Sequence, residues 1–158
     1  MAEDKDLKLA KEVYKSICAI LDGDNWHYEK DEENLIINCG AQGEDLPIPI
    51  IIEVDKQRQI VTILSQMPFI VPEKQRTALA IAVSQANNGL VDGNFDYDSL
   101  SGRIIFRMTS SYRKSLIGKE LFAYMLMCTC FTVDKYNDKF LVVAKNEMSI
   151  ADILGFIE

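Results

Sequence analysis

Apolar residues fall at helical spacing at three places along the chain, and between them the spacing changes to the alternation of strands. Leu7, Ala10, Val13, Tyr14, Ile17 and Leu21 repeat at three- and four-residue intervals with Lys8, Lys11, Glu12 and Lys15 opposite, which predicts a first helix with Gly23 as the terminating residue just past its end. From Asn25 to Leu64 the apolar residues are β-branched and come in short runs, Ile36 and Ile37, then Ile48, Ile50, Ile52 and Val54. Polar turns at Asp31 to Asn34 and Asp55 to Arg58 divide this stretch into three or four antiparallel strands. Pro47 and Pro49 donate no ladder hydrogen bond, which pushes their strand toward an edge or a late start. Pro72 and Glu73 open a second helix whose face is Ala78, Leu79, Ala82, Val83 and Ala86 and whose end is Gly89. Phe95 and Tyr97, then Ile104, Phe106 and Met108, alternate with polar neighbours about a turn at Ser99 to Gly102, and predict another hairpin.

A third helix is expected from Ser115 to Lys145, roughly 45 Å long if Asn137 and Asp138 leave it unbent. Ser149 and Asp152 form a capping-box pattern that opens a short terminal turn with Ile150, Ile153 and Leu154. The order is α-β-β-β-α-β-β-α, an α+β chain with no linker or repeat, read as one domain over 1–158. Leu121, Tyr124, Met125 and Cys128 lie on one side of the long helix, Phe122, Leu126 and Val133 next round, and Met127, Cys130 and Phe131 on much of the rest. A helix apolar nearly all round needs cover on several faces, whereas a sheet covers one. Helix one, the terminal turn or a second chain has to supply the rest, so a homodimer partner is weighed against cover from within the chain.

Composition narrows the function more than the fold. The chain has 158 residues, 48% hydrophobic and 26% charged, enough for one self-sufficient core. Its net charge of −7 opposes the counterion-release attraction that drives nucleic-acid binding. The densest basic group, Arg103, Arg107, Arg113 and Lys114, reads as a solvated face. Met1 to Lys8 show neither the basic nor the apolar region of a secretory signal, and the apolar run Leu121 to Val133 is short of the ~20 residues that cross a membrane. The expectation is a cytoplasmic protein with no membrane and no nucleic-acid partner.

Candidate chemistry is sparse. Cys18, Cys39, Cys128 and Cys130 lack zinc-site spacing and read as reduced thiols. Asp92, Asn94, Asp96 and Asp98 imitate the start of a calcium loop, but Tyr97 stands where the loop needs glycine and Arg103 where it needs glutamate, so no metal is expected. His27 is the single histidine, flanked by Trp26 and Tyr28 in a strand-like stretch, and reads as a surface residue before a catalytic base. Glu29, Asp31, Glu32 and Glu33 cluster in a turn, where neither of a catalytic pair is desolvated. No phosphate-cradling loop and no cofactor motif occurs.

Pro68, Val71, Pro72, Arg76, Asn87, Asn88, Gly93, Phe95, Asp98, Gly102, Ile104 and Phe106 together resemble the signature of the YbjN domain family. With the helix that follows, the resemblance spans about residues 68 to 145. It implies a fold like that of the type III secretion chaperones, a twisted antiparallel sheet with packed helices. Such proteins are typically non-enzymatic, often homodimeric, and bind extended segments of other proteins; YbjN-like members are described as regulators of sensory transduction. The reading is therefore a chaperone-like protein-binding or regulatory module, with Met67, Phe69, Ile70 and Val71 as candidate contact residues unless they pack in the core. Small-molecule sensing is the alternative, and an enzyme using His27 or an acidic pair a further one.

Overall fold

In the computed structural model, which describes residues 4–158, helix α1 spans Lys5–Gly23 and buries Ala10, Val13, Tyr14, Ile17, Cys18 and Leu21. The N-terminal reading rests partly on Met1 to Glu3, which lie outside the described residues. Asp4 caps the helix start by accepting from the Asp6 amide. The stop is Asn25 and not Gly23: Asn25 takes φ +59°, its amide reaches the Asp22 carbonyl, and the Trp26 amide reaches the Leu21 carbonyl. That pair of bonds is the left-handed helix terminator, which asparagine tolerates better than other side-chain-bearing residues.

Six strands follow in two groups: β1 (Tyr28–Asp31), β2 (Ile36–Gln42), β3 (Pro47–Asp55), β4 (Ile60–Gln66), then β5 (Asn94–Asp98) and β6 (Arg103–Ser111). They form one antiparallel sheet in the order β1-β2-β3-β4-β6-β5. Three hairpins share one design. Asp31 opposite Ile36, Asp55 opposite Ile60 and Asp98 opposite Arg103 each close a short loop. In each, the aspartate accepts a backbone amide of the turn, from Asn34 at 3.0 Å, Gln57 at 2.8 Å and Leu100 at 2.9 Å. The last loop residue is left-handed in each: Leu35 at φ +57°, Gln59 at +56°, Gly102 at +77°.

Pro47 and Pro49 sit in a strand with a neighbour on each side, yet the late start holds. They pair with Gln42 and Gly40 of β2, while the ladder to β4 begins only at Ile51. The residues that cannot donate thus precede the ladder that would need them.

Alternation along the strands puts Ile37, Ile52, Ile63 and Met108 in one row beneath the helices, and Asn38, Ile51, Leu64, Arg107 and Asn94 in a row on the opposite, wetter face. A single 3₁₀ turn, Glu73–Gln75, leads into α2 (Arg76–Asn88). Helix α3 runs unbroken from Lys119 to Lys145, starting later than expected because Ser115 to Gly118 form a turn and an extended cap. Asn137 does not bend it, although its side chain is fully buried. Phe95 meets Phe106, Tyr136 and Phe140 edge-on at 5.2, 5.6 and 5.0 Å between ring centres, which fixes α3 over β5 and β6. Helix α4 (Ile150–Ile157) is opened by the expected cap, the Ser149 hydroxyl accepting from the Asp152 amide, and packs mainly on α2.

Candidate binding groove between the first helix and the sheet edge

On α1, the residues flanking the buried stripe are Lys11, Lys15, Ala19 and Asp22, spaced so that they form one wall. Facing them are Lys30 of β1 and Glu32 and Leu35 of the following turn. Between lies a groove of about 440 Å³ whose floor is Tyr14, Cys18 and Leu35. Two tyrosines tie helix to strands there. Tyr14 donates its hydroxyl to the Ile36 carbonyl at 3.1 Å, and Tyr28 donates to the Asp22 carboxylate at 2.7 Å. Leu35 pays about 1–2 kcal/mol to be left-handed, and burial of its side chain to 5% exposure offsets that cost.

Burial above all pushes the Tyr14 hydroxyl up to about 12, with Cys18 and the turn carboxylates Glu32 and Asp31 adding to it. Burial likewise raises the Cys18 thiol, against the opposing charge of Lys30. Tyr28 is raised by desolvation and by its bond to Asp22. At neutral pH these groups are uncharged hydrogen-bonding partners beside three lysines.

The candidate contact residues fare otherwise. The Met67 amide bonds the Ile104 carbonyl and the Val71 amide the Gly102 carbonyl, so this segment runs on alongside β6 and turns alternate side chains inward. Met67 and Val71 are 1% and 0% exposed and belong to the core, Phe69 is half-buried against it, and Ile70 alone is open at 52%. The four residues therefore do not form a joint surface. His27 is exposed just ahead of β1, and Asp31 is engaged with Asn34, whose hydrogen bonds hold its carboxyl below the usual range. Asp96 is clamped by Arg107 at 2.7 and 3.0 Å. Among the described residues no group of three or more His, Cys, Asp or Glu is placed to hold a metal ion, and no helix is long and apolar enough to cross a membrane. The groove itself was signalled by Lys11 and Lys15 four apart on one flank of an amphipathic helix in an acidic chain, but which strand faced them was not.

The signature residues from 68 to 106 are explained by backbone geometry. The Asn87 side chain accepts from the Phe95 amide at 2.8 Å and donates to the Phe95 carbonyl at 2.9 Å, imitating a neighbouring strand. A Cβ on Gly93, at φ +71°, would run into the Phe106 ring at Cζ and lie 3.1 Å from the Arg107 carbonyl. Arg76 reaches the carbonyls of Val71 and Leu100, and Tyr97 donates to the Arg76 carbonyl.

No family model matches the sequence, and no curated protein is similar to it by sequence. Among solved structures it superposes on the crystal structure of YbjN from E. coli, described as a candidate transcription regulator. The TM-score is 0.57 at 11% identity, over 79% of this chain and 91% of that one. The fold is YbjN-like. At this identity the likeness speaks for the YbjN-like architecture, α+β with a six-stranded antiparallel sheet, and leaves the groove to be read from its own residues.

Proposed function

We propose that the chain is a non-enzymatic, protein-binding regulatory module that takes an extended, acidic segment of another protein along β1, beside α1. One observation carries this reading: β1 ends the sheet with no strand beyond it among the described residues, and the groove next to that edge is lined by Lys11, Lys15 and Lys30 in a chain of net charge −7. A strand edge supplies backbone pairing to any extended peptide, an adjoining apolar floor takes alternate side chains, and the lysines select for carboxylates. The YbjN likeness, to a candidate regulator, supports a regulatory role in the coarse sense. The groove volume also lies in the range of small-ligand sites, roughly 300–1,000 Å³, which keeps small-molecule sensing as the second reading.

Selection from a random peptide display library tests it. Acidic, β-branched sequences are expected, with amide shift changes confined to α1, β1 and the turn between β1 and β2. Lys11→Glu combined with Lys15→Glu should weaken binding at least tenfold while leaving the melting temperature nearly unchanged. Peptides that bind elsewhere, or none recovered while a small metabolite raises the melting temperature, refute the peptide reading.

A further inference from the structure

The long helix leaves a second surface unaccounted for. Its inward face is filled: Phe122, Met125, Leu126, Thr129, Val133, Tyr136 and Phe140 are all buried. Its outward face carries Leu121, Tyr124, Met127 and Phe131 at 43, 52, 46 and 68% exposure. Cover from α1 and α4 therefore stops short of this side. Leu121, Tyr124, Cys128 and Phe131 follow one another at intervals of three, four and three, the spacing of a seam between two paired helices.

The order of residues along this face says what pairs with it. Outward from the midpoint between Met127 and Cys128, Tyr124 on one side answers Phe131 on the other, and Glu120 answers Lys135. Aromatic matches aromatic, and acid matches base. A two-fold contact requires a patch complementary to itself when reversed, and this sequence of residues has that property. A parallel pairing would set Glu120 against Glu120 and Lys135 against Lys135. Of the other polar groups nearby, Asp134 accepts from the Glu44 amide at 2.8 Å and Lys119 lies 3.9 Å from Asp24, while exposed Lys135 rests over the ring of its chain neighbour Tyr136, 5.0 Å from the centre. The Tyr124 hydroxyl donates to Asp92, which holds the ring in place.

We infer that α3 packs antiparallel against α3 of a second copy of this chain, about a two-fold axis between Met127 and Cys128, with Tyr124 facing Phe131 and Glu120 facing Lys135 across the contact. This contact is independent of the peptide groove, which lies on α1 and β1.

Sedimentation equilibrium of the full chain tests the inference. The expected mass is twice 17.9 kDa at micromolar concentration. Phe131→Asp should give the single-chain mass with an unchanged circular dichroism spectrum, since that ring is mostly exposed. Glu120→Lys should weaken association at least tenfold, because the change is felt at both symmetric ends, and adding Lys135→Glu should restore it. A single-chain mass for the native protein at 200 μM, a dimer that survives Phe131→Asp, or a charge exchange that restores nothing overturns the inference. If Phe131→Asp fails to fold, the charge exchange decides alone.

Discussion

The two edges of the sheet are finished in opposite ways. At β5 the Asn87 side chain occupies both the amide and the carbonyl of Phe95, so the middle of that strand offers nothing to a further strand. β1 is the other terminal strand of the sheet, and a groove and a row of lysines lie alongside it. Exposed strand edges invite unwanted pairing, and proteins commonly block them. With an asparagine sealing one edge and a lined groove beside the other, the first edge is structural and the second is the one proposed to bind.

The largest break in this contrast is Asn87→Ala. It strips two partners from part-buried backbone groups, each costing about 1–3 kcal/mol when left unsatisfied, so the loss of stability should be about 2–6 kcal/mol. Urea denaturation measures it, and the variant should also aggregate as concentration rises. Asn87→Asp keeps the acceptor for the Phe95 amide and loses the donor, and should fall between. A stability change under 1 kcal/mol for the alanine variant means the amide is not sealing that edge.

The hairpins at the two edges sharpen the same contrast at smaller cost. Both end in a left-handed residue, Gly102 beside β5 and Leu35 beside β1. A Cβ on Gly102 would lie 3.1 Å from the Val71 amide nitrogen, with other atoms of that segment nearer still, whereas Leu35 uses its side chain as groove floor. Gly102→Ala should therefore cost about 1–3 kcal/mol from strain and crowding together. Leu35→Gly removes backbone strain while giving up burial, and should cost only about 1 kcal/mol yet abolish peptide capture. Denaturation midpoints for the two variants, read beside a peptide titration, separate them; equal losses of stability would show that the two loops are not differently used.

Most of the fold was legible because its signals are local. The three aspartate-led turns, the capping pair Ser149 and Asp152, and the alternation of Ile104, Phe106 and Met108 each announce themselves within a few residues. What failed was long-range or ambiguous by composition. Met67 and Val71 read in sequence either as contact residues or as core, and pairing with Gly102 and Ile104, over thirty residues away, decides for the core. Asn87 lies in the last turn of α2, near the expected end at Gly89, but its second task depends on where Phe95 lies. The helix terminator fell on Asn25 and not Gly23 because the bonds to Leu21 and Asp22 decide the stop, and glycine two residues earlier has no need of its freedom. The groove needed α1 and β1 to be brought together, which no spacing within either element discloses.

The smallest effect concerns pH, and it lies on the blocked side of the sheet. Asp96 of β5 is held below the usual carboxylate range, first by hydrogen bonds from Arg107 and then by one from Asn94, with partial desolvation working against them. A carboxylate depressed in the folded state contributes stability above its unfolded value of about 3.9, and that contribution disappears as pH falls through the lower folded value. Both partners are nearly half exposed, at 46 and 45%, so solvent screening keeps the pair to about 0.2–1 kcal/mol. Asp31 and Asp98 are lowered too, by their turn hydrogen bonds, so the acid slope of the whole chain is shared. The difference between the native chain and Asp96→Asn isolates one member: the variant should be the less stable at pH 7 and the gap should narrow as pH falls through the carboxylate range, as read from urea midpoints across an acid pH series. A gap that persists in acid would assign the loss to packing of the side chain on β5 instead of its charge.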